Sequence, residues 1–339
     1  MEIKEQVSYY VELGIKTGAS DMYLLPNEWG YTLSYRYGDL KRKQCRVSLG
    51  IGKRMLVYFK FLGDMNVGEG RLPQLGSTEF VLKEQSYFLR LSTVGDFKNR
   101  ESLVVRFLQS FQGESSFQQF FPKKFSEMKN SMKKSGLYIF AGKTGTGKTT
   151  SMFNFAQSFS EEYQQVITVE DPVEIHYSEF LQLQVNEMIG ATYEELLKLC
   201  LRHRPDTLII GEIRDLKTAA AAIRAALTGH RVLTTVHGDT KQSIVQRLLE
   251  LGINSNDLEQ VLRGVIFQKL LPVKCPYCQD VCHVYCHHNS RGVIFNASFT
   301  NQIENQKNMA DYHKKAWAYG FITTAVYQEQ MALAGASET

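Results

Sequence analysis

The run Gly142-Lys143-Thr144-Gly145-Thr146-Gly147-Lys148-Thr149 has the residue types and spacing of a phosphate-binding loop, G-x-x-x-x-G-K-[ST]. Glycines let backbone N–H groups close around phosphate oxygens, and the positive end of a following helix favours the negative charge. In such a loop Lys148 reaches the β- and γ-phosphates, the Thr149 hydroxyl ligates Mg²⁺, and Thr150 continues the same turn. The pattern carries this meaning when a strand precedes it and a helix follows. Both are predicted here. Residues 137–140 are an apolar run, and Met152, Phe153, Ala156 and Phe159 fall on one helical face. The chemistry implied is binding and hydrolysis of Mg-ATP.

Ligands of open parallel sheets bind beyond the carboxyl ends of the strands, so more polar groups are expected at that edge. Three apolar runs deliver them. Residues 166–169 lead into Glu170-Asp171-Pro172-Val173-Glu174, residues 207–210 into Gly211-Glu212-Ile213-Arg214-Asp215, and residues 232–236 into His237-Gly238-Asp239. Hydrolysis needs a carboxylate that orients water or holds Mg²⁺ through its shell, and Glu212 stands directly after its strand. Glu170 and Glu174 are candidates for holding Mg²⁺ or polarising water, with turn formation by Asp171-Pro172 as the plainer reading. His237 is placed to hydrogen-bond a γ-phosphate, although a histidine at a strand end is more often structural.

The elements that position these groups follow from periodicity. After Gly136, apolar strands alternate with amphipathic helices. Thr192 and Glu195 form a capping-box pattern for a helix carrying Leu196, Leu199 and Cys200, which must stop near Pro205. An alanine-rich helix follows Asp215. Alternation of this kind predicts an α/β domain with a parallel sheet over 135–272. Residues 1–112, with short alternating stretches such as 31–37 and 87–91, predict a small α+β domain. The Gln-, Ser-, Phe- and Lys-rich residues 113–134 are expected to be a linker ending in an exposed helix, or a partly disordered stretch. A small C-terminal region spans 273–339.

With 339 residues, 43% hydrophobic, the chain can give each domain a core. A net charge of +4 with scattered basic residues gives no block of the kind nucleic-acid arms require. No window approaches the roughly 18 uninterrupted apolar residues of a membrane span, and no apolar signal core follows Met1, so a cytosolic location is expected. Of six cysteines, Cys275, Cys278, Cys282 and Cys286 crowd together, which in a reducing compartment points to metal rather than disulfides.

The ordered segments GKTGTGKTT, ITVEDPVEIH, LRHRPDTLIIGEIRD and TGHRVLTTVHGDT closely resemble the Walker A, Asp box, Walker B and His box of the type II secretion and type IV pilus ATPase family. Ala19-Ser20-Asp21, Arg71-Leu72-Pro73-Gln74, Arg90-Leu91-Ser92-Thr93 and Val104-Val105-Arg106 resemble that family's PAS-like domain. The likeness covers about residues 15–300. It departs at His203-Arg204, where Gln-Asp is usual, and at Gly238-Asp239, which replaces Thr-Asn. It implies a RecA-like P-loop domain between a PAS-like domain and a small helical, zinc-binding C-terminal region.

Several further expectations rest on that resemblance alone. The chain is similar in its short form to the competence-pseudopilus branch of the family in Gram-positive bacteria. The implied protein is a homo-hexameric ATPase, peripheral at the inner face of the cell membrane. It would drive an integral membrane platform protein that adds pilin subunits to a filament used in DNA uptake. Cys275-Pro276-Tyr277-Cys278 resembles the opening of the assembly branch's tetracysteine zinc motif. Cys282 and Cys286, spaced by three residues rather than two, would complete it, with His283, His287 and His288 as substitute ligands and unligated thiols as the alternative. Arg90 and Arg106 match the family's arginine fingers, supplied to a neighbouring subunit; without the likeness they are ordinary strand arginines.

Competing readings are the same motor in another secretion or pilus machine, a RecA-like DNA translocase, and a ring without hydrolysis. Retraction motors fit less well because of the cysteines. The missing basic, aromatic-interleaved groove pattern argues against the translocase. Intact Lys148 and Glu212 argue against an inert ring.

Overall fold

The computed structural model describes residues 2–37, 40–110, 118–143, 145–162, 164–238, 240–278, 291–300 and 309–335. The chain divides into two compact units, Met1–Ser110 and Phe111–Thr339.

In the first unit, α1 (Ile3–Lys16) precedes β1 (Asp21–Asn27), β2 (Gly30–Tyr37) and β3 (Leu40–Ser48); α2 (Leu49–Leu62), β4 (Gln74–Leu82), β5 (Gln85–Gly95), β6 (Glu101–Phe107) and the two-residue β7 (Gln109–Ser110) follow. Among the described residues β1 to β6 form one sheet in the order β3-β2-β1-β6-β5-β4. Strand alternation explains its core. Met22 and Leu24, Leu33 and Tyr35, Leu89 and Leu91, and Leu103 and Val105 share one face with Val7 and Val11 of α1 and Met55, Leu56 and Phe59 of α2. Lys60 is fully buried; its ammonium donates to the Glu69 carbonyl and lies 2.6 Å from the Glu101 carboxylate, which offsets the cost of removing the charge from water.

The second unit runs through β8 (Gln118–Gln119), α3 (Pro122–Ser131), β9 (Gly136–Ala141), α4 (Lys148–Ser160), β10 (Val166–Glu170), β11 (Ile175–His176), β12 (Leu181–Gln184), α5 (Tyr193–Arg202) and β13 (Thr207–Ile210). It continues with α6 (Leu216–Leu227), β14 (Arg231–Val236), α7 (Lys241–Glu250), α8 (Ser255–Val261), β15 (Leu262–Pro272), β16 (Arg291–Phe299), α9 (Met309–Ala318) and α10 (Thr324–Gly335). The sheet order is β12-β10-β13-β14-β9-β15-β16-β8. Strands β9, β10, β13 and β14 are buried at every position because helices cover both faces.

Three expectations change. The sheet is mixed rather than parallel, because β16 returns antiparallel to β15 along nine residue pairs, Gly264–Phe299 to Pro272–Arg291. The helix expected to be exposed at the end of a linker is α3, whose Phe125 and Met128 are buried; Phe125 stacks on Phe155 with centroids 4.2 Å apart, so its aromatic content serves the core. On α5, Leu197 and Cys200 are buried while Leu199 is exposed. The covered stripe is rotated by about one residue from the expected one. Among the described residues, no helix is long and apolar enough to cross a membrane.

Candidate active site at the carboxyl edge of the sheet

The phosphate loop joins β9 to α4 as its pattern requires. Gly142 has φ +146°, and an added Cβ there would sit 3.0 Å from the Gln268 carbonyl oxygen. Gly147, the α4 N-cap, has φ +79°. Both conformations suit glycine and strain other residues. Lys148 opens α4 and reaches back over the loop, its ammonium donating to the carbonyls of Gly142 (2.8 Å) and Lys143 (2.9 Å). Burial lowers its pKa, opposed by the charges of Glu212 and Glu174. Those two carboxylates therefore share its electrostatic surroundings. Thr144 and Asp239 lie outside the described residues.

Strand β10 carries the second group. The Thr149 hydroxyl donates to Glu174 Oε2 at 3.2 Å, so the residue expected to ligate Mg²⁺ already touches one of the candidate carboxylates. Glu170 behaves differently. It is buried and accepts from Thr168 Oγ1 (2.7 Å) and Gln182 Nε2 (3.3 Å). Burial pushes its pKa up to about 7 against the opposing effect of these hydrogen bonds. The Asp171–Pro172 peptide is cis.

From β13 comes Glu212. Its Oε2 accepts from Arg214, with Nε and Nη2 each at 2.9 Å, and its Oε1 lies 3.3 Å from His237 Nε2, at the end of β14. The strand ends are locked together: Thr235 Oγ1 donates to the Gly211 carbonyl (2.8 Å), the Ile213 N–H to the Thr235 carbonyl (3.0 Å), and the Gly211 N–H to the Val169 carbonyl (2.9 Å). Asp215 caps α6 by accepting the Thr218 N–H at 2.9 Å.

Two participants were not anticipated from the sequence. Gln268 of β15, buried, donates through Nε2 to the Thr146 carbonyl at 2.6 Å and so braces the phosphate loop from a neighbouring strand. A glutamine inside the apolar run of β15 was the available signal, since buried polar groups are hydrogen-bonded. The Tyr193 hydroxyl lies 3.3 Å from where a Gly211 Cβ would stand, and Glu212, Asp171 and Arg214 all act on it electrostatically. No sequence pattern marked it.

The arginines Arg90 and Arg106 lie in the first unit. They are directly opposed on β5 and β6, and Arg106 faces Asp21 on β1, whose Oδ1 accepts from Arg106 Nε at 2.8 Å. Asp21 is in turn opposed to Arg36, so four charged residues form one row across β2, β1, β6 and β5. Of the expected zinc ligands, Cys275 is buried and accepts the Cys278 N–H at 3.5 Å on one turn. Cys282 and Cys286, with His283, His287 and His288, lie outside the described residues. Among the described residues no group of three His, Cys, Asp or Glu could hold a metal ion, so zinc is not supported by them.

A glycine-rich loop opening a helix, a lysine over its mouth and carboxylates from two adjacent strand ends define a P-loop nucleotide hydrolase. The chain belongs to the family described as Type II/IV secretion system protein, whose model matches residues 2–325. It is 43% identical over 269 residues to Competence protein ComGA of Streptococcus pneumoniae, covering 79% of this chain and 85% of that protein. Identity to Competence protein ComGA of Bacillus subtilis is 37% over 355 residues, covering 96% and 98%. The Legionella pneumophila ATPase DotB shares the fold, with TM-score 0.70 at 18% identity over 95% of this chain and 94% of that one. The protein is accordingly an ATP-hydrolysing enzyme of the secretion and pilus class, using ATP and Mg²⁺.

Proposed function

We propose that this chain is the hexameric motor ATPase of a competence pseudopilus, turning ATP hydrolysis into motion of a membrane platform protein during DNA uptake. The observation that carries the reading is the convergence of Lys148, Thr149, Glu174, Glu212 and His237 at one sheet edge. Similarity to ComGA proteins over most of the chain supports the choice of machine. Under this reading the first unit is the PAS-like domain, and the protein is cytoplasmic, held peripherally at the membrane by its platform partner.

The residues present fit Mg-ATP. Backbone N–H groups of 142–150 surround the phosphates, and Lys148 exchanges its two carbonyl acceptors for phosphate oxygens. Mg²⁺, when bound, neutralises the developing charge on the phosphate oxygens. Thr149 and Glu174, already in contact, would hold it. Glu212, with both oxygens held by Arg214 and His237, is oriented to direct water, and His237 is within reach of the γ-phosphate. Arg90 and Arg106 serve a neighbouring subunit's site. Cys275 and Cys278, paired on one turn, offer half of a four-thiolate zinc site completed by Cys282 and Cys286.

Two substitutions test the site. Lys148→Ala abolishes hydrolysis and weakens ATP binding, whereas Glu212→Gln keeps binding and loses turnover by about 100-fold or more. Near-normal hydrolysis by either variant, measured as phosphate release, would exclude this assignment. Metal analysis of the purified protein should return about one zinc per chain. Absence of zinc in folded protein would remove that site.

A further inference from the structure

Between Glu170 and the start of β12, the chain must leave the sheet edge, carry Glu174 to Thr149 and return. Side chains of β12 hold part of that excursion. Gln182 Nε2 donates to the Ile175 carbonyl at 2.8 Å, and Gln182 Oε1 accepts the Tyr177 N–H at 2.8 Å. A glutamine amide presents a donor and an acceptor as a peptide group does, so one side chain bonds the backbone at both Ile175 and Tyr177. Two residues on, and therefore on the same face, Gln184 Oε1 accepts the Val173 N–H at 3.3 Å. Val173 and Ile175 flank Glu174, so the backbone on both sides of that carboxylate is tied to β12.

Gln182 is itself held. Its Nε2 also donates to Glu170 Oε1, which accepts the Thr168 hydroxyl as well, and Thr168 and Gln182 are register partners on β10 and β12. Glu170 is thereby committed to β10, Gln182 and the backbone of Glu174, while the Glu174 carboxylate is the one that meets Thr149. Although both glutamates belong to one acidic segment, only one is directed at the phosphate loop.

We propose that Gln182, assisted by Gln184 and anchored by Glu170, is a positioning residue that sets Glu174 against Thr149, so that Glu170 acts through this network rather than on Mg²⁺ or water. The proposal rests on the assignment of Glu174 to the metal side of the ATP site.

The test is a mutant cycle in the full chain. Gln182→Met preserves length and removes every hydrogen bond of the amide. It should lower kcat about 10- to 100-fold, as expected for a displaced catalytic group. It should also raise the Mg²⁺ concentration needed for half-maximal rate and leave the KM for ATP within about 2-fold, since the P-loop itself is intact. Because the network works through Glu174, Gln182→Met/Glu174→Gln should be no slower than Glu174→Gln alone. Wild-type kcat and Mg²⁺ requirement in Gln182→Met, or losses that multiply in the double variant, would overturn the proposal. Should Gln182→Met not fold, Gln184→Met, altering an exposed side chain, is judged by the same measurements and the same two outcomes. Wild-type turnover in Glu174→Gln would instead remove the metal-side assignment.

Discussion

An imidazole buried without partners must remain neutral, and His313 of α9 is such a group. It is 1% exposed, and among the described residues neither ring nitrogen has a hydrogen-bond partner. Burial, reinforced by the Lys269 charge, pushes its pKa down to about 4 from 6.5. The unfolded chain then binds the extra proton between those values, so the contribution to stability is complete above about pH 6.5 and is lost as pH falls towards 4. Between pH 7 and pH 5 this amounts to about 2 kcal/mol. Urea unfolding followed by Trp317, in a Trp29→Phe background that silences the other tryptophan, should show a pH-dependent loss that His313→Leu largely abolishes. Equal losses in the two proteins would show that His313 is not the titrating group. Glu170 acts in the opposite sense, its raised pKa favouring the folded state below 4.5 and that contribution fading by about pH 7; comparing variant with parent isolates the histidine.

At the scale of elements, the phosphate loop depends on β15 as much as on the strand and helix it connects. Strand β15 lies parallel to β9, and its Gln268 reaches the Thr146 carbonyl. Gln268→Met keeps the volume but leaves that carbonyl without its donor. The loop should loosen and ATP affinity fall by roughly 3- to 10-fold, the equivalent of one ordinary hydrogen bond. Titration with a fluorescent ATP analogue measures this, and unchanged affinity would mean the brace is dispensable. Strand β15 is itself flanked by β16, which pairs with it over nine residues. That arrangement explains why residues far along the chain belong with the nucleotide-binding sheet.

For the whole molecule, the row Arg36, Asp21, Arg106, Arg90 gives the two proposed fingers different settings. Arg106 is fixed by Asp21, whereas Arg90 stands directly opposite a like charge. If both serve a neighbour, an Arg90→Ala/Arg106→Ala protein and a Lys148→Ala protein, each inactive alone, should regain part of the activity when mixed. Some interfaces then pair an intact P-loop with an intact arginine donor. Specific activity should also climb with protein concentration as rings assemble. No recovery in rings shown to be mixed would exclude fingers acting in trans.

Some features of this protein were determined by neighbouring residues and could be read along the chain. The loop 142–149 is one, since its glycines, lysine and threonine act within a single turn between β9 and α4. The strand ends that carry Glu174, Glu212 and His237 are another, since each follows its own apolar run. Other features depend on distance in sequence being closed in space. Gln268 meets the loop from more than a hundred residues away, Arg106 meets Asp21 across 85 positions, and Gln182 reaches the acidic segment only because β12 aligns with β10. Sequence types alone made Glu170 and Glu174 equivalent candidates. Tertiary structure separated them, because burial beside Thr168 and Gln182 occupies one carboxylate while the excursion from the sheet edge carries the other to Thr149. Hydrogen bonds between strands depend on register, and register is a property of the assembled sheet rather than of either strand.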